Sequence, residues 1–389
     1  MATAIANANT ITIEVISEEL LRELAETRSD QETVLSVYLD LDPTEFALPR
    51  DRASEVTALL DDAHRIVEQR ERPITERESL RTALERTRAE LEGDQPWASG
   101  ARGLALFVDE LLGLWRLVRL SHPVAPQVAV ARTPLIAPLL QAGQAVRLCV
   151  ALVDERSARL LHGSHDDLEE LISFGDPVHG RHEQGGWSQA NYQRSRTEDI
   201  KAHLRHVARE LHRELKRAPF DRLLLAATEP LWPRLRDELH PDLRARLGPR
   251  VTLDASDPTA ADIQAAVAPI LAAERDAREE EALTVLRQRL AAEGAAAGVT
   301  QVLAALEQRR VRTLFYDTGQ VMPGVECPRC GWLGASGDSC PLDGSRLEQL
   351  ADVLAPALRR AVAQDAEVRA LTDRPNLGPI GHIAAILRF

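Results

Sequence analysis

His179-Gly-Arg-His-Glu-Gln-Gly-Gly-Trp-Ser-Gln-Ala-Asn-Tyr-Gln-Arg-Ser-Arg-Thr-Glu198, running on into a helical pattern that ends at Arg217, is the stretch on which the reading of the chain turns. Gly185 and Gly186 together admit backbone angles closed to other residues, so the chain can bend sharply there or press its backbone against a partner. From Thr197 onward Ile200, Leu204, Val207, Leu211 and Leu215 recur at helical spacing. Glu198 and Asp199 in the first turn and Lys216 and Arg217 in the last suit the helix dipole. The pattern predicts a glycine-tipped loop standing on a firm helix. Between Arg181 and Arg217 nine basic residues stand against five acidic ones, a balance of +4 in a chain of formal charge −13. A cationic projection on an acidic body implies a polyanionic partner met at one place, with RNA the natural candidate.

A length of 389 residues suits three domains, each with its own core. Aromatic residues make up only 4 %, which argues against a broad aromatic platform for nucleic acid. The first twelve residues lack a charged head and apolar core, and no apolar run reaches membrane-spanning length. A cytoplasmic protein is expected, with neither a membrane nor DNA as partner. No phosphate-binding Gly-Lys-Ser/Thr, Rossmann glycine string or Gly-x-Ser-x-Gly is present.

The expected fold is mixed α/β and α+β in three domains. In the first, residues 1–143, Ser17 opens a helix with Leu20, Leu21 and Leu24, and Val34 to Leu41 reads as a strand. Arg52 to Glu71 and Ile74 to Leu91 form a helical hairpin divided at Pro73, with Arg70 and Arg72 expected to face solvent. Gly103 to Val108 and Leu114 to Leu120 follow as a strand pair, and Pro134 to Leu140 as a short helix. The second domain, 144–275, carries the Gly-Gly loop. Val146 to Val153 and Leu223 to Ala227 are buried strands, Ala158 to His162 and Leu168 to Ile172 their partners, Pro230 to Leu239 a helix, and Val251 to Leu253 a short strand. Asp154 and Asp221 are too few for a metal-dependent nuclease. A long helix from Thr259 leads into the third domain, 276–389, with breaks at Gly294 and Gly298 and a strand from Val311 to Tyr316.

Within that last domain Cys327-Pro-Arg-Cys330-Gly and Cys340-Pro-Leu-Asp343-Gly repeat one Cys-x-x-ligand-Gly pattern. Two such knuckles make a tetrahedral structural zinc site of the ribbon kind, so residues 325–346 are expected to be a zinc-ribbon-like insert with ligands Cys327, Cys330, Cys340 and Asp343. Asp343 stands where a fourth cysteine is usual; its carboxylate can ligate zinc, more weakly than thiolate. His162, His165, His179 and His182 match no ligand spacing.

The string GGWSQANYQRSRTE resembles the tip of the middle domain of archaeal and eukaryotic class-1 peptide chain release factors, where Gly-Gly-Gln-Ser precedes an aromatic residue, Arg, Arg and Glu. Gly185, Gly186, Ser188, Tyr192, Arg194, Arg196 and Glu198 match in register. Trp187 replaces the family glutamine that positions water against the peptidyl-tRNA ester, and Gln189, two residues on, is the candidate catalytic group. The C-terminal Gly378-Pro-Ile-Gly-His-Ile-Ala-Ala-Ile-Leu-Arg-Phe389 is similar to the family's closing Gly-Ile-Gly-x-Ile-Leu-Arg-Tyr. No counterpart of the stop-codon-reading motifs is present.

The resemblance, to a group that includes pelota and the hibernation factor Balon, implies a ribonuclease-H-like middle domain and a C-terminal domain like the kink-turn-binding ribosomal proteins. It implies a ribosome-binding factor for hibernation or rescue, meeting rRNA and tRNA through Gly185, Gly186, Trp187, Ser188, Gln189, Tyr192, Arg194 and Arg196. A translational GTPase such as elongation factor Tu would deliver it. The enzymatic alternative is a ribosome-dependent peptidyl-tRNA hydrolase.

Overall fold

The structure, a computed structural model, describes residues 13–42, 49–69, 71–92, 101–143, 146–164, 167–176, 188–253, 257–371 and 377–389. Two compact units divide the chain: residues 145–280, and a discontinuous unit of 1–144 with 281–389.

The discontinuous unit opens with β1 (Ile13–Val15), α1 (Glu18–Glu26), β2 (Val34–Asp40), the hairpin α2 (Pro49–Gln69) and α3 (Ile74–Glu92), β3 (Gly103–Asp109), β4 (Leu114–Leu120), β5 (Gln127–Ala131) and α4 (Ala137–Gly143). Ser17 caps α1, its hydroxyl accepting the Leu20 amide at 3.1 Å. The strands run in the order β1-β4-β3-β2-β5, with only the β1–β4 pair parallel. Successive side chains of a strand point to opposite faces, and β2 uses both. Leu35, Val37 and Leu39 pack with Leu60, Val67, Leu80 and Leu84 of the hairpin, while Val34 and Tyr38 join a second core on the other side. Arg72 is not solvent-facing as expected: it is buried, its guanidinium 2.6 Å from Glu76 and 3.3 Å from Glu32. Glu76, in the first turn of α3, and Glu32 give the cation two carboxylate partners, which offset its burial. Arg70 lies outside the described residues.

The continuous unit holds β6 (Leu148–Val153), β7 (Ser157–Ser164), β8 (Asp167–Gly175), α5 (Ser188–Arg217), β9 (Arg222–Ala227), α6 (Trp232–Glu238), α7 (Pro241–Arg244), β10 (Leu247–Val251) and the first part of α8 (Ala260–Ala291). Its sheet runs β10-β9-β6-β7-β8. β10, β9 and β6 are parallel and β7 and β8 antiparallel to their neighbours, the ribonuclease-H-like arrangement expected. Cys149, Ala151, Leu223 and Leu225 face Leu204, Val207 and Leu211 of α5, whereas Leu148, Val150, Leu224 and Ala226 face Ile263 and Val267 of α8. Both faces are therefore covered, as near-continuous apolar strands require. The last strand starts four residues earlier than expected and takes in Gly248 and Pro249, at which its register shifts.

The chain then returns to the first unit through β11 (Ala295–Ala297), α9 (Gly298–Glu307), β12 (Val311–Asp317), β13 (Gly324–Glu326), β14 (Leu333–Gly334), β15 (Glu348–Leu350), α10 (Leu354–Val362), β16 (Glu367–Leu371) and β17 (Ile383–Leu387). One sheet runs β11-β17-β12-β16, and β14-β13-β15 form a small antiparallel ribbon. Leu303 and Leu306 of α9 and Leu358 of α10 share one core with Leu24 of α1, Tyr38 of β2 and Leu139 of α4. Before β17, Gly381 takes φ +85°, and a Cβ there would stand 3.3 Å from the Gly298 Cα. The buried Asp317 carboxylate holds this turn, accepting the Leu377 amide at 3.1 Å and lying 2.8 Å from His382 Nδ1. This is the local reason for the glycine and histidine of the C-terminal string.

Candidate functional site

α5 begins at Ser188, nine residues before the start that its apolar spacing predicted. Ser, Asn and Tyr are indifferent helix formers and no apolar stripe marks the extra turns, so periodicity alone could not find them. Residues 188–199 extend over about 18 Å at the α-helical rise. From Arg194 to Asp199 no residue is buried, and Ile200 is packed in the core beneath α5. Arg194 is exposed, and Arg196 forms an ion pair with Glu155 of the β6–β7 turn. Ser188, Gln189 and Tyr192 lie in the first turns of the helix. Gly185, Gly186 and Trp187, like His179 and His182, fall outside the described residues.

The other end of the Gly-Gly stretch is fastened to the same helix. Asp176, just past β8, lies 2.7 Å from His203 Nδ1 and 2.8 Å from His206 Nδ1 through one carboxylate oxygen. The His203 side chain is fully buried, with its Nε2 facing the Ser157 carbonyl at 3.3 Å, and Phe174 packs at a tilt against His206, 4.7 Å between ring centroids. Burial pushes the Asp176 carboxyl up, but the hydrogen bonds and charges of the two histidines outweigh it and hold the group below the usual carboxylate range. No local pattern marks this clamp, because the histidines are 27 and 30 residues from Asp176. The two carboxylates considered for nuclease chemistry are already engaged. Asp154 closes the β6–β7 turn by accepting the Arg156 and Ser157 amides at 2.6 Å, and Asp221 pairs with Arg147 at 2.9 Å.

The second candidate site is the ribbon. The Sγ atoms of Cys327, Cys330 and Cys340 and a carboxylate oxygen of Asp343 all lie within 4.8 Å of one another. Each knuckle is built the same way. Gly331 donates its amide to the Cys327 carbonyl and Gly344 to the Cys340 carbonyl, both at 2.9 Å, with φ of +76° and +73°. The amides of Cys330 and Leu342 point at the sulfurs of Cys327 and Cys340 at 3.5 and 3.4 Å. Cys330 and Cys340 stand 3.5 Å apart, well beyond a disulfide and at the separation of two thiolates sharing a tetrahedral ion. Hydrogen bonds from the Ser345 backbone and hydroxyl hold Asp343 at about 2, so it is ionised at neutral pH. Burial and the neighbouring sulfurs push the Cys330 thiol up to about 12. The donor set thus fits a divalent cation of zinc type. Arginines grip the first knuckle: Arg28 reaches Glu326 at 3.0 Å and the Pro328 carbonyl at 3.2 Å, and Arg132 the same carbonyl at 2.5 Å.

Residues 134–271 match the family model described as bacterial archaeo-eukaryotic release factor family 10. This segment is a release-factor domain of that superfamily. It contains the whole of β6 to β10 and α5, so the release-factor match falls on the element that carries the Gly-Gly stretch. No curated protein matches the chain. Among solved structures, the archaeal translation termination factor aRF1 is 17 % identical, with 96 % of this chain and 99 % of that one covered and a TM-score of 0.27. Pelota of Archaeoglobus fulgidus is 16 % identical over 74 % and 79 % of the two chains, with a TM-score of 0.32. Dom34 of S. cerevisiae, a translation termination-like factor that interacts with Hbs1, is 11 % identical over 74 % and 79 %, with a TM-score of 0.40. Among the described residues no helix is long and apolar enough to cross a membrane.

Proposed function

We propose that this release-factor-domain protein is a cytoplasmic ribosome-binding factor that acts in hibernation or rescue, with Gly185 to Gln189 directed at the peptidyl-transferase centre. The observation that carries this is the head of α5. The helix starts at Ser188, and its last turns before the packed part, Arg194 to Asp199 over about 9 Å, hold no buried residue and lead toward the Gly-Gly stretch. Such an arm reaches into a narrow RNA-lined channel while the acidic body stays outside it. Arg194 would meet phosphate directly, and Arg196 would do so on release from Glu155. Trp187 would stack on a base or on the tRNA end, and Gly185, Gly186, Ser188 and Tyr192 would shape the tip. The chain is read as three domains, 1–143, 144–275 and 276–389, of which the first and last share one core. The first would sit at the decoding site without reading codons, and a translational GTPase such as elongation factor Tu would deliver the complex. Cys327, Cys330, Cys340 and Asp343 would hold structural zinc, stiffening the ribbon that the arginines grip.

A second reading, peptidyl-tRNA hydrolysis, draws on the start of α5 at Ser188. The first amides of a helix have no partner inside it and can stabilise a developing oxyanion, with Gln189 placing the water. Peptide release from loaded ribosomes separates the two. The first reading expects stable ribosome binding and no release above background. Release that Gln189→Ala abolishes would establish the second, and failure to sediment with ribosomes in low salt would defeat both.

A further inference from the structure

We propose that the groove between α5 and the α6–α7 pair is a binding site for single-stranded RNA, holding one unstacked base against His212 and His240 and its flanking phosphates along Lys201, Arg205 and Arg209. The site lies on the body of the middle unit and would be a second RNA contact. It rests on the proposed ribosome association only for the source of that RNA.

The groove encloses about 470 Å³, with Arg205, Arg209, His212, Glu238 and His240 on its walls and Ala202 and Ala208 as its floor. Small residues on α5 make the space, and cations line it. Lys201, Arg205 and Arg209 are exposed and recur every four residues, so they form rungs about 6 Å apart along the helix. That interval is of the order of the spacing between successive phosphates in a nucleic-acid strand. Lys201 and Arg209 have no ion pair among the described residues, and Arg205 shares an exposed one with Glu238 at 3.2 Å. An exposed pair of this kind is worth little and yields readily to phosphate.

Two imidazoles end the ladder. The rings of His212 and His240 are stacked, 4.0 Å between centroids and 16° between planes. His240 Nδ1 accepts the Asp242 amide at 3.2 Å, capping α7 and fixing the ring. Burial, then the neighbouring His240 and Lys216, push His212 below its usual value against the opposing pull of Asp242. Imidazole faces serve as stacking partners for unpaired bases, and a cationic track with a stacking platform is the general design of single-strand sites. The donors of His212, His240 and Asp242 also lie within 4.8 Å, but a metal site fits poorly. Face-to-face rings send their in-plane lone pairs side by side rather than to one point, and one nitrogen of His240 is engaged. Glu238 on the groove wall, with Asp242 3.9 Å from His212, favours a base with amino donors beside the platform.

The test is fluorescence anisotropy of the full chain with a labelled single-stranded RNA of twelve nucleotides and mixed sequence, over a range of salt, alongside sedimentation with ribosomes. The unmodified protein should bind the oligonucleotide. Arg209→Ala should weaken binding several-fold and reduce the log–log salt slope by about one. His240→Asn keeps the helix cap and removes the ring; it should weaken binding on the order of tenfold with the slope unchanged. Arg278→Ala, on α8 across the sheet, should change nothing. No binding at low salt, or binding that both groove variants leave intact, overturns the assignment. If ribosomes are bound without any such oligonucleotide binding, the groove inference fails and the ribosome reading stands. If groove-dependent oligonucleotide binding occurs without sedimentation, the ribosome reading fails and the groove stands. Loss of sedimentation in the groove variants, with no RNA binding by the unmodified protein, would assign the groove to a protein partner and overturn the RNA proposal.

Discussion

Replacing Asp176 by Ala should loosen α5 without unfolding the sheet beneath it. The carboxylate oxygen lies 2.7 and 2.8 Å from two imidazoles, and one of these, His203, has no exposed side-chain surface through which water could replace the lost acceptor. Hydrogen bonds to a charged group contribute roughly 1.5–3 kcal/mol when a buried partner is left unsatisfied, and the half-exposed His206 adds less. A loss of about 2 kcal/mol is therefore expected, which corresponds to roughly 30-fold more frequent local opening. Hydrogen exchange of a peptide spanning residues 200–211, read by mass spectrometry in the full chain, should speed up by that factor. Asp257→Ala, which removes an exposed partner of Arg159, should leave it unchanged. The pH dependence has a definite sign. Because the folded-state pKa of Asp176 is depressed, its contribution is complete above the ordinary carboxylate range and is lost as pH falls through the folded value. Asp176→Asn should remove that acid-side slope. An exchange rate within twofold of the unmodified protein for Asp176→Ala would refute the idea that this clamp holds the helix.

Purified protein should carry about one zinc, with Cys340→Ser abolishing it and Asp343→Ala weakening it; absence of zinc from the unmodified protein by elemental analysis would contradict the ribbon assignment. Leu211→Ala, in the core between α5 and the middle sheet, should cost roughly 2–5 kcal/mol in urea unfolding followed by a probe in that unit. Gly381→Ala meets both a left-handed backbone angle and the Gly298 Cα at 3.3 Å, and a loss of about 1–3 kcal/mol is expected from the thermal midpoint of the discontinuous unit.

What the sequence showed and what it hid follow one physical line. Apolar runs such as Val34 to Leu39 and Leu148 to Val153 mark strands buried on both faces, and Pro73 marks the hairpin turn, because these signals are local. The two knuckles were legible for the same reason, since all four donors fall in one short segment with fixed spacing. β1 and β5 were missed: three residues and a half-buried Gln-Val-Ala-Val-Ala between prolines give too little contrast. Periodicity told which side chains are buried but not against what, so the core shared by Leu24, Leu139, Leu306 and Leu358 could not be foreseen. The histidine clamp on Asp176 and the stacked pair His212–His240 depend on helix packing between distant segments, and only the fold brings them together.

The most direct test of the central claim is a cryo-electron microscopy map of the protein bound to ribosomes. The account predicts that α5 points its Ser188 end into the peptidyl-transferase centre, with density for Gly185 to Gln189 against rRNA or the tRNA end. A bound complex with that end of the helix turned away from the catalytic centre would contradict it.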